Sequence, residues 1–192
     1  MDLLKLEASK NDMYRIKEEI TLPGTKETIG SILWTDVGNR KLDTKLGTDQ
    51  LEISGELLVF CFYESPDGKI DWIEQVLIYH GSVECYGGDA TMYHQVNANL
   101  DDVVVDIRMD EDGETRVIGI EGTLKLNMAV YEEEQMDVLE DVYSLEKQCK
   151  LEKKDVCYEQ LILQNHSKCK VTEQLSLPEL KNDILQICHS SG

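Results

Sequence analysis

"TRVIGIEGTLKLNMAVY" (115–131) decides the fold class. Ile118, Ile120, Leu124, Leu126, Met128 and Val130 fall on one side of an extended chain, and Glu121, Thr123, Lys125 and Asn127 fall between them. A period of two held this long belongs to a half-buried antiparallel strand, because a helix would repeat about every 3.6 residues. Gly119 and Gly122 inside it are candidates for a bulge or bend.

Working outward, "DDVVVDIRM" (101–109) alternates as well, with Val103, Val105, Ile107 and Met109 expected on one face. "DEDGE" (110–114) joins the two runs, and its Asp112-Gly113 pair suits a turn that needs positive φ. A second hairpin is read upstream. "QLEISGELLVFCFYE" (50–64) places Leu51, Ile53, Leu57, Val59 and Cys61 on one side. Towards its end both sides become apolar, which predicts burial on both faces. "ESPDGK" (64–69) is a turn, and "IDWIEQVLIYHGSVEC" (70–85) is the returning strand or strands. Residues 2–9 read as a short helix or an edge strand. Residues 132–155 are ambiguous: "MDVLEDVYS" has a strand-like middle with Val138 and Val142, and "LEKQCKLEKK" reads as helix or linker. "YEQLILQNHSKCKVTEQLSL" (158–177) reads as strand, turn, strand, and 183–188 as a further strand. The expected fold is mainly β: an antiparallel β-sandwich or barrel-like module with few short helices, followed by the first strands of a second repeat.

That repeat is visible directly. "EEITLPGTKETIGSILW" (18–34) returns as "EQLSLPELKNDILQICH" (173–189) after a shift of 155 residues. Glu18, Leu22, Pro23, Lys26, Ile29 and Ile32 meet Glu173, Leu177, Pro178, Lys181, Ile184 and Ile187, six identities in seventeen over residues 16–32. About one would arise by chance. The expected division is a first β module over 1–150 and an incomplete second copy over 151–192. A copy cut before its body cannot bury its own core, so the natural protein is expected to continue past Gly192. Residues such as Leu161, Leu163, Val171, Ile184 and Ile187 are expected to be covered, either on the first module or against a second chain.

The 192 residues carry 38 acids against 19 Lys and Arg, a net charge of −19, and twelve of the excess negative charges fall within 101–146. Such a surface repels phosphate backbones and anionic membranes, so nucleic acid is not an expected partner. No apolar run approaches the length of a membrane span, so membrane insertion is not expected either. No signal peptide is read at the N-terminus, so the compartment is expected to be reducing and Cys61, Cys85, Cys149, Cys157, Cys169 and Cys188 to be free thiols. None of them has zinc-site spacing.

Each candidate for chemistry has a plainer reading. A calcium loop with Gly113 at position 6 would put Arg108 at position 1 and Gly119 at position 12, and both fail as ligands. "YEEEQMDVLED" (131–141) has paired carboxylates, but acids crowded on a surface do not acquire the raised pKa that acid catalysis needs. It reads as a charged edge. His80, His94, His166 and His189 form no zinc motif. His80 with Cys85 is a conceivable Cys–His pair that lacks an orienting third group. "YGGD" (86–89) lacks a phosphate-loop context. Trp34 and Trp72 are either exposed ligand platforms or core or half-buried packing. No catalytic, cofactor or metal residue is assigned, and no cofactor or enzymatic activity is expected.

"ILWTDV" (32–37), "GELLVFCFYESPDGKIDWIEQ" (55–75), "DEDGETRVIGIEGTLKL" (110–126) and "YEEEQMDVLEDVYS" (131–144) together resemble the SPOCS domain of SipL-like sporulation proteins, over about residues 25–145. The resemblance implies a non-enzymatic scaffold or interaction module in spore envelope assembly, coat and cortex included. It implies a location in the mother-cell cytoplasm at the forespore surface. It implies protein partners, among them the coat morphogenetic ATPase, reached through a LysM domain that these 192 residues do not contain. The alternative is a carbohydrate- or cell-wall-binding β module. The resemblance assigns no partner-binding residue and no oligomeric state.

Overall fold

The computed structural model describes residues 2–137, 139, 141–148, 150, 152, 154, 155, 157, 162, 163, 165, 169–174, 176, 178 and 186–190. Six long strands follow in order: β1 (Asp2–Thr21), β2 (Ser31–Gly47), β3 (Gln50–Glu64), β4 (Ile70–Glu84), β5 (Tyr93–Arg108) and β6 (Val117–Gln135). They form two antiparallel three-stranded sheets, β1-β6-β5 and β2-β3-β4. No helix occurs among the described residues. The sheets do not close into a barrel, so the sandwich reading stands. The early residues form an edge strand: β1 pairs only with β6, in a ladder from Asp2↔Gln135 to Thr21↔Val117.

The facing sides of the sheets meet in one core. Ile16 and Ile20 of β1 and Ile118, Ile120, Leu124, Leu126, Met128 and Val130 of β6 pack there against the second sheet. The second sheet supplies Leu51, Ile53, Leu57, Val59, Cys61 and Tyr63 of β3, with Ile73, Leu77, Tyr79 and Val83 of β4. These are the alternating positions, so the period-two pattern and the buried face coincide. Both hairpins turn where expected. Gly68 and Gly113 have φ of 77° and 81°, a region that costs a side-chain-bearing residue energy. The carboxylate of Asp110 accepts from the amides of Asp112 and Glu114, which fixes the second turn.

Two expectations shift. Val103 and Met109 are exposed, whereas Val105 and Ile107 pack on the core. Met109 lies beyond the end of β5 at Arg108. For Val103 the cause is a bulge: Asp101 pairs with Thr123 and Val104 with Glu121, so two residues of β5 stand opposite Gly122 alone. The extra residue changes the phase of the alternation. Asp102 within the bulge has φ 52°. The glycine thus marks the bulge, which lies in the neighbouring strand. Further on, the described residues among 136–144 lie outside any strand, and Val138 is outside the described residues.

The segment 18–34, whose sequence returns at 173–189, has a clear local role. Leu22 and Ile29 are buried and bind the far hairpin, the Leu22 amide to the Arg116 carbonyl and the Ile29 amide to the Thr115 carbonyl, each at 2.8 Å. Lys26 bonds Asp71 at 2.6 Å. The segment therefore carries the chain from the first sheet to the second and closes that end of the core. Its counterparts Leu177, Lys181 and Ile184 lie outside the described residues, as do Cys149, Leu161 and His166. The described residues of 151–192 carry no strand, and Leu163, Val171 and Ile187 among them are exposed.

Candidate functional site

The outward face of the β2-β3-β4 sheet is where side chains of functional character gather. Two ladders set its rows. Phe60 of β3 pairs with Asp36 of β2 on one side and Glu74 of β4 on the other. The next row is Trp34, Phe62 and Trp72. The row on the other side is Gly38, Leu58 and Val76. Directly paired residues share a face, so these nine positions form one patch. Register shifts between Ile32 and Trp34 and between Asn39 and Lys41 bracket it on β2.

Phe60 breaks the alternation of its strand. It points away from the core yet is only 2% exposed. Three rings cover it. Trp34 lies 5.5 Å away and Trp72 5.8 Å away between centroids. The third is the imidazole of His189, stacked at 4.3 Å and 14° from parallel. This is the double burial that the apolar end of "LLVFCFY" predicts. His189 also binds both carboxylates of the row, Nδ1 to Glu74 at 2.8 Å and Nε2 to Asp36 at 2.9 Å. Its side chain is 4% exposed. The Asp36 and Glu74 hydrogen bonds hold its pKa above the ordinary imidazole value.

The tryptophans are therefore not core residues. Trp34 is half exposed on the patch, and Trp72 carries the Lys26 ammonium 5.7 Å from its ring. Farther along the same face, a groove of about 460 Å³ is lined by Asp43, Lys45, Glu52, Ser54, His80 and Ser82 among others, with no Trp, Tyr or Phe.

The other candidates do not assemble. His80 is exposed on this outer face, whereas Cys85 is buried in the core, so no Cys–His pair forms. Burial raises the Cys85 thiol, with Lys10 opposing, and pushes Cys61 up to about 11, opposite to what a nucleophile requires. His94 faces Thr44 at 3.2 Å. "YGGD" is the loop between β4 and β5, where the Asp49 carboxylate accepts from the Gly87 amide. Glu132, Glu133 and Glu134 continue β6 beyond its pairing with β5 and face only β1. Among the described residues no three His, Cys, Asp or Glu side chains gather as a metal site. No helix among them is long and apolar enough to cross a membrane.

Residues 28–108 match the family model described as SipL, SPOCS domain. This segment is a SPOCS domain match. It spans the crossover from Thr28 and strands β2 to β5, so it contains the whole aromatic patch. It stops before "DEDGETRVIGIEGTLKL" and "YEEEQMDVLEDVYS", which the resemblance had included. The folded unit is wider than the SPOCS match, because β1 and β6 complete the sheet to which β5 belongs. No curated protein and no solved structure matches the chain.

The aromatic patch escaped sequence reasoning in part. Trp34 and Trp72 were visible as candidates, and Asp36, Phe60 and Glu74 were not. The available signal was the out-of-phase phenylalanine between Val59 and Cys61.

Proposed function

We propose that the chain is a non-enzymatic interaction module of spore envelope assembly, acting through the outward face of β2-β3-β4. The observation that supports this is the placement of rings. Trp34, Phe60, Phe62 and Trp72 lie on a sheet face that the sandwich does not need for its core. Val76 and Ile78 continue that face and are exposed. Exposed apolar surface rimmed by charge is characteristic of protein-binding sites. The two carboxylates in the middle already hold His189, so a partner would meet the apolar side chains around them. The sporulation context comes from the family match, and coat and cortex assembly at the forespore surface is the step this role would serve.

A fluorescent fusion of the chain in sporulating cells tests the reading. The expected result is accumulation at the forespore surface from the mother-cell side. A fusion that stays diffuse throughout sporulation overturns it.

Trp34 supports a second reading, binding of cell-wall polysaccharide, because a half-exposed indole can stack on a sugar ring. The adjoining groove offers such a ligand no aromatic wall. Sedimentation of the purified protein with peptidoglycan, lost in Trp34→Ala, would favour this second reading over the first.

A further inference from the structure

We propose that the Asp36–Phe60–Glu74 row is a binding site for a protonated imidazole, and that its occupant is His189 of the chain's own 186–190 segment. The site would fasten that segment across the sheet in a pH-dependent way. This goes beyond the envelope-assembly reading and does not depend on it.

The argument starts from the row. Three adjacent strands put carboxylate, phenyl and carboxylate in line. An imidazole lying flat on the phenyl ring has its two nitrogens pointing along the row, one towards each carboxylate. The structure contains that arrangement, with both contacts below 3 Å and the rings nearly parallel. Neutral imidazole has one N–H donor and one lone pair. Docked between two ionised carboxylates, its lone pair would face an anion. Only imidazolium donates to both, and its charge also favours the faces of Phe60 and Trp34. A lysine ammonium lacks the flat face, so the site selects ring shape as well as charge.

The surroundings agree. β2 contributes Asp36, β4 contributes Glu74, and β3 contributes only the phenyl ring at this row. Lys26, beside Trp72, is turned to Asp71 at 2.6 Å and to the Trp72 carbonyl at 3.0 Å. Within the segment, Gln186, Ile187 and Ser190 carry no charge, and Cys188 is an exposed thiol. The docked pKa is raised, first by Asp36 and then by Glu74. A group whose bound pKa exceeds its free value contributes fully below the free value and is lost as pH rises through the bound value. Docking is therefore strong below about pH 6.5, the free histidine value, and weakens above it, by about tenfold for each unit between bound and free pKa.

The 155-residue shift that relates the two copies places His189 on Trp34. The residue entering the row of the first copy thus corresponds to a residue that forms that patch.

The test is an NMR titration of the histidine Cε1–H signals in the full 192-residue chain, with His189 assigned by its loss in His189→Gln. The expected result is titration above about 6.5, the ordinary histidine value. Cross-peaks to Phe60 and Trp34 should be present at the acid end, and the 186–190 amides should become mobile as pH rises through the same value. In the double variant Asp36→Asn with Glu74→Gln, the His189 pKa should return to the ordinary value and the segment should be mobile throughout. Unchanged methyl shifts of Leu124 will show that the sandwich of the variant is intact. The proposal is overturned if His189 titrates at the ordinary value in the parent chain, if the double variant leaves its pKa where it was, or if mobility of 186–190 ignores pH.

Discussion

Tyr14 of β1 lies against Gly81 of β4, and its hydroxyl donates to the His80 carbonyl at 2.7 Å. This contact joins an edge of one sheet to an edge of the other. A Cβ at Gly81 would fall 2.2 Å from the Tyr14 ring. The ring is partly exposed and can swing outward. Gly55 is confined differently: a Cβ there meets the Tyr79 hydroxyl at 2.2 Å and the Lys41 carbonyl at 2.4 Å, and Tyr79 is buried. Gly81→Ala should cost about 1 kcal/mol and Gly55→Ala about 3 kcal/mol or more, by the usual range for overpacking. Urea midpoints measure both. A larger loss at Gly81 would contradict this account of how the sheets are joined.

The β6 register gives a second prediction. Leu124 is 0% exposed in the core, and Thr123 faces outward between Arg15 and Asp101. Leu124→Ala should lose about 2–5 kcal/mol. Thr123→Ala should stay within about 0.5 kcal/mol. Equal losses in chemical denaturation would place the alternation on the wrong face.

Acid stability follows from the outer face of the other sheet. Arg108 binds Glu19, Asp106 and Glu121 at 2.7, 2.9 and 3.0 Å. Gly119 leaves room for it, since a Cβ there would lie 2.4 Å from the guanidinium. Lys17 and then Arg108 hold the Glu121 carboxyl below its ordinary value of 4.5, and Lys125 holds Asp101 below 3.8. A depressed folded pKa gives stability above the unfolded value that is lost as pH falls through the folded one. The melting temperature should therefore drop as pH goes below 4.5, and Glu121→Gln should make that drop shallower. A drop of equal steepness in the variant would show that these pairs do not carry it.

The thiols divide by burial. Cys61 and Cys85 are enclosed, with Cys61 pushed up to about 11, and Cys157, Cys169 and Cys188 are exposed. Iodoacetamide on the native protein, read by mass spectrometry, should modify the last three quickly and the first two only after denaturation. Early labelling of Cys61 would contradict a core position for β3.

The hairpins were legible because two signals agreed at each: alternation in the strands and an Asp-Gly pair in the turn. The outward place of Val103 was not, because the bulge between Asp101 and Val104 arises without an obvious residue in β5 to announce it, and Met109 falls just past the end of that strand. The apolar end of β3 foretold two buried faces. It did not tell what covers Phe60. The rows of the patch depend on two register shifts in β2, and alternation within one strand says nothing of its neighbour's register. His189 was invisible as a site residue for a simpler reason. It is 115 positions from Glu74 and 153 from Asp36, and only the folded sheet brings them together.

The central claim is that the outward face of β2-β3-β4 is the working surface. The most direct measurement is forespore recruitment of a fluorescent fusion carrying Trp34→Ala with Ile78→Ser, against Met13→Ser on the opposite sheet as control. Met13 and Ile78 are exposed, whereas Trp34 is half exposed and helps to cover Phe60, so the melting temperature of each variant is read alongside to confirm that it stays folded. The account predicts that the double variant loses recruitment while Met13→Ser keeps it. Recruitment that survives in the double variant and fails in Met13→Ser would contradict it.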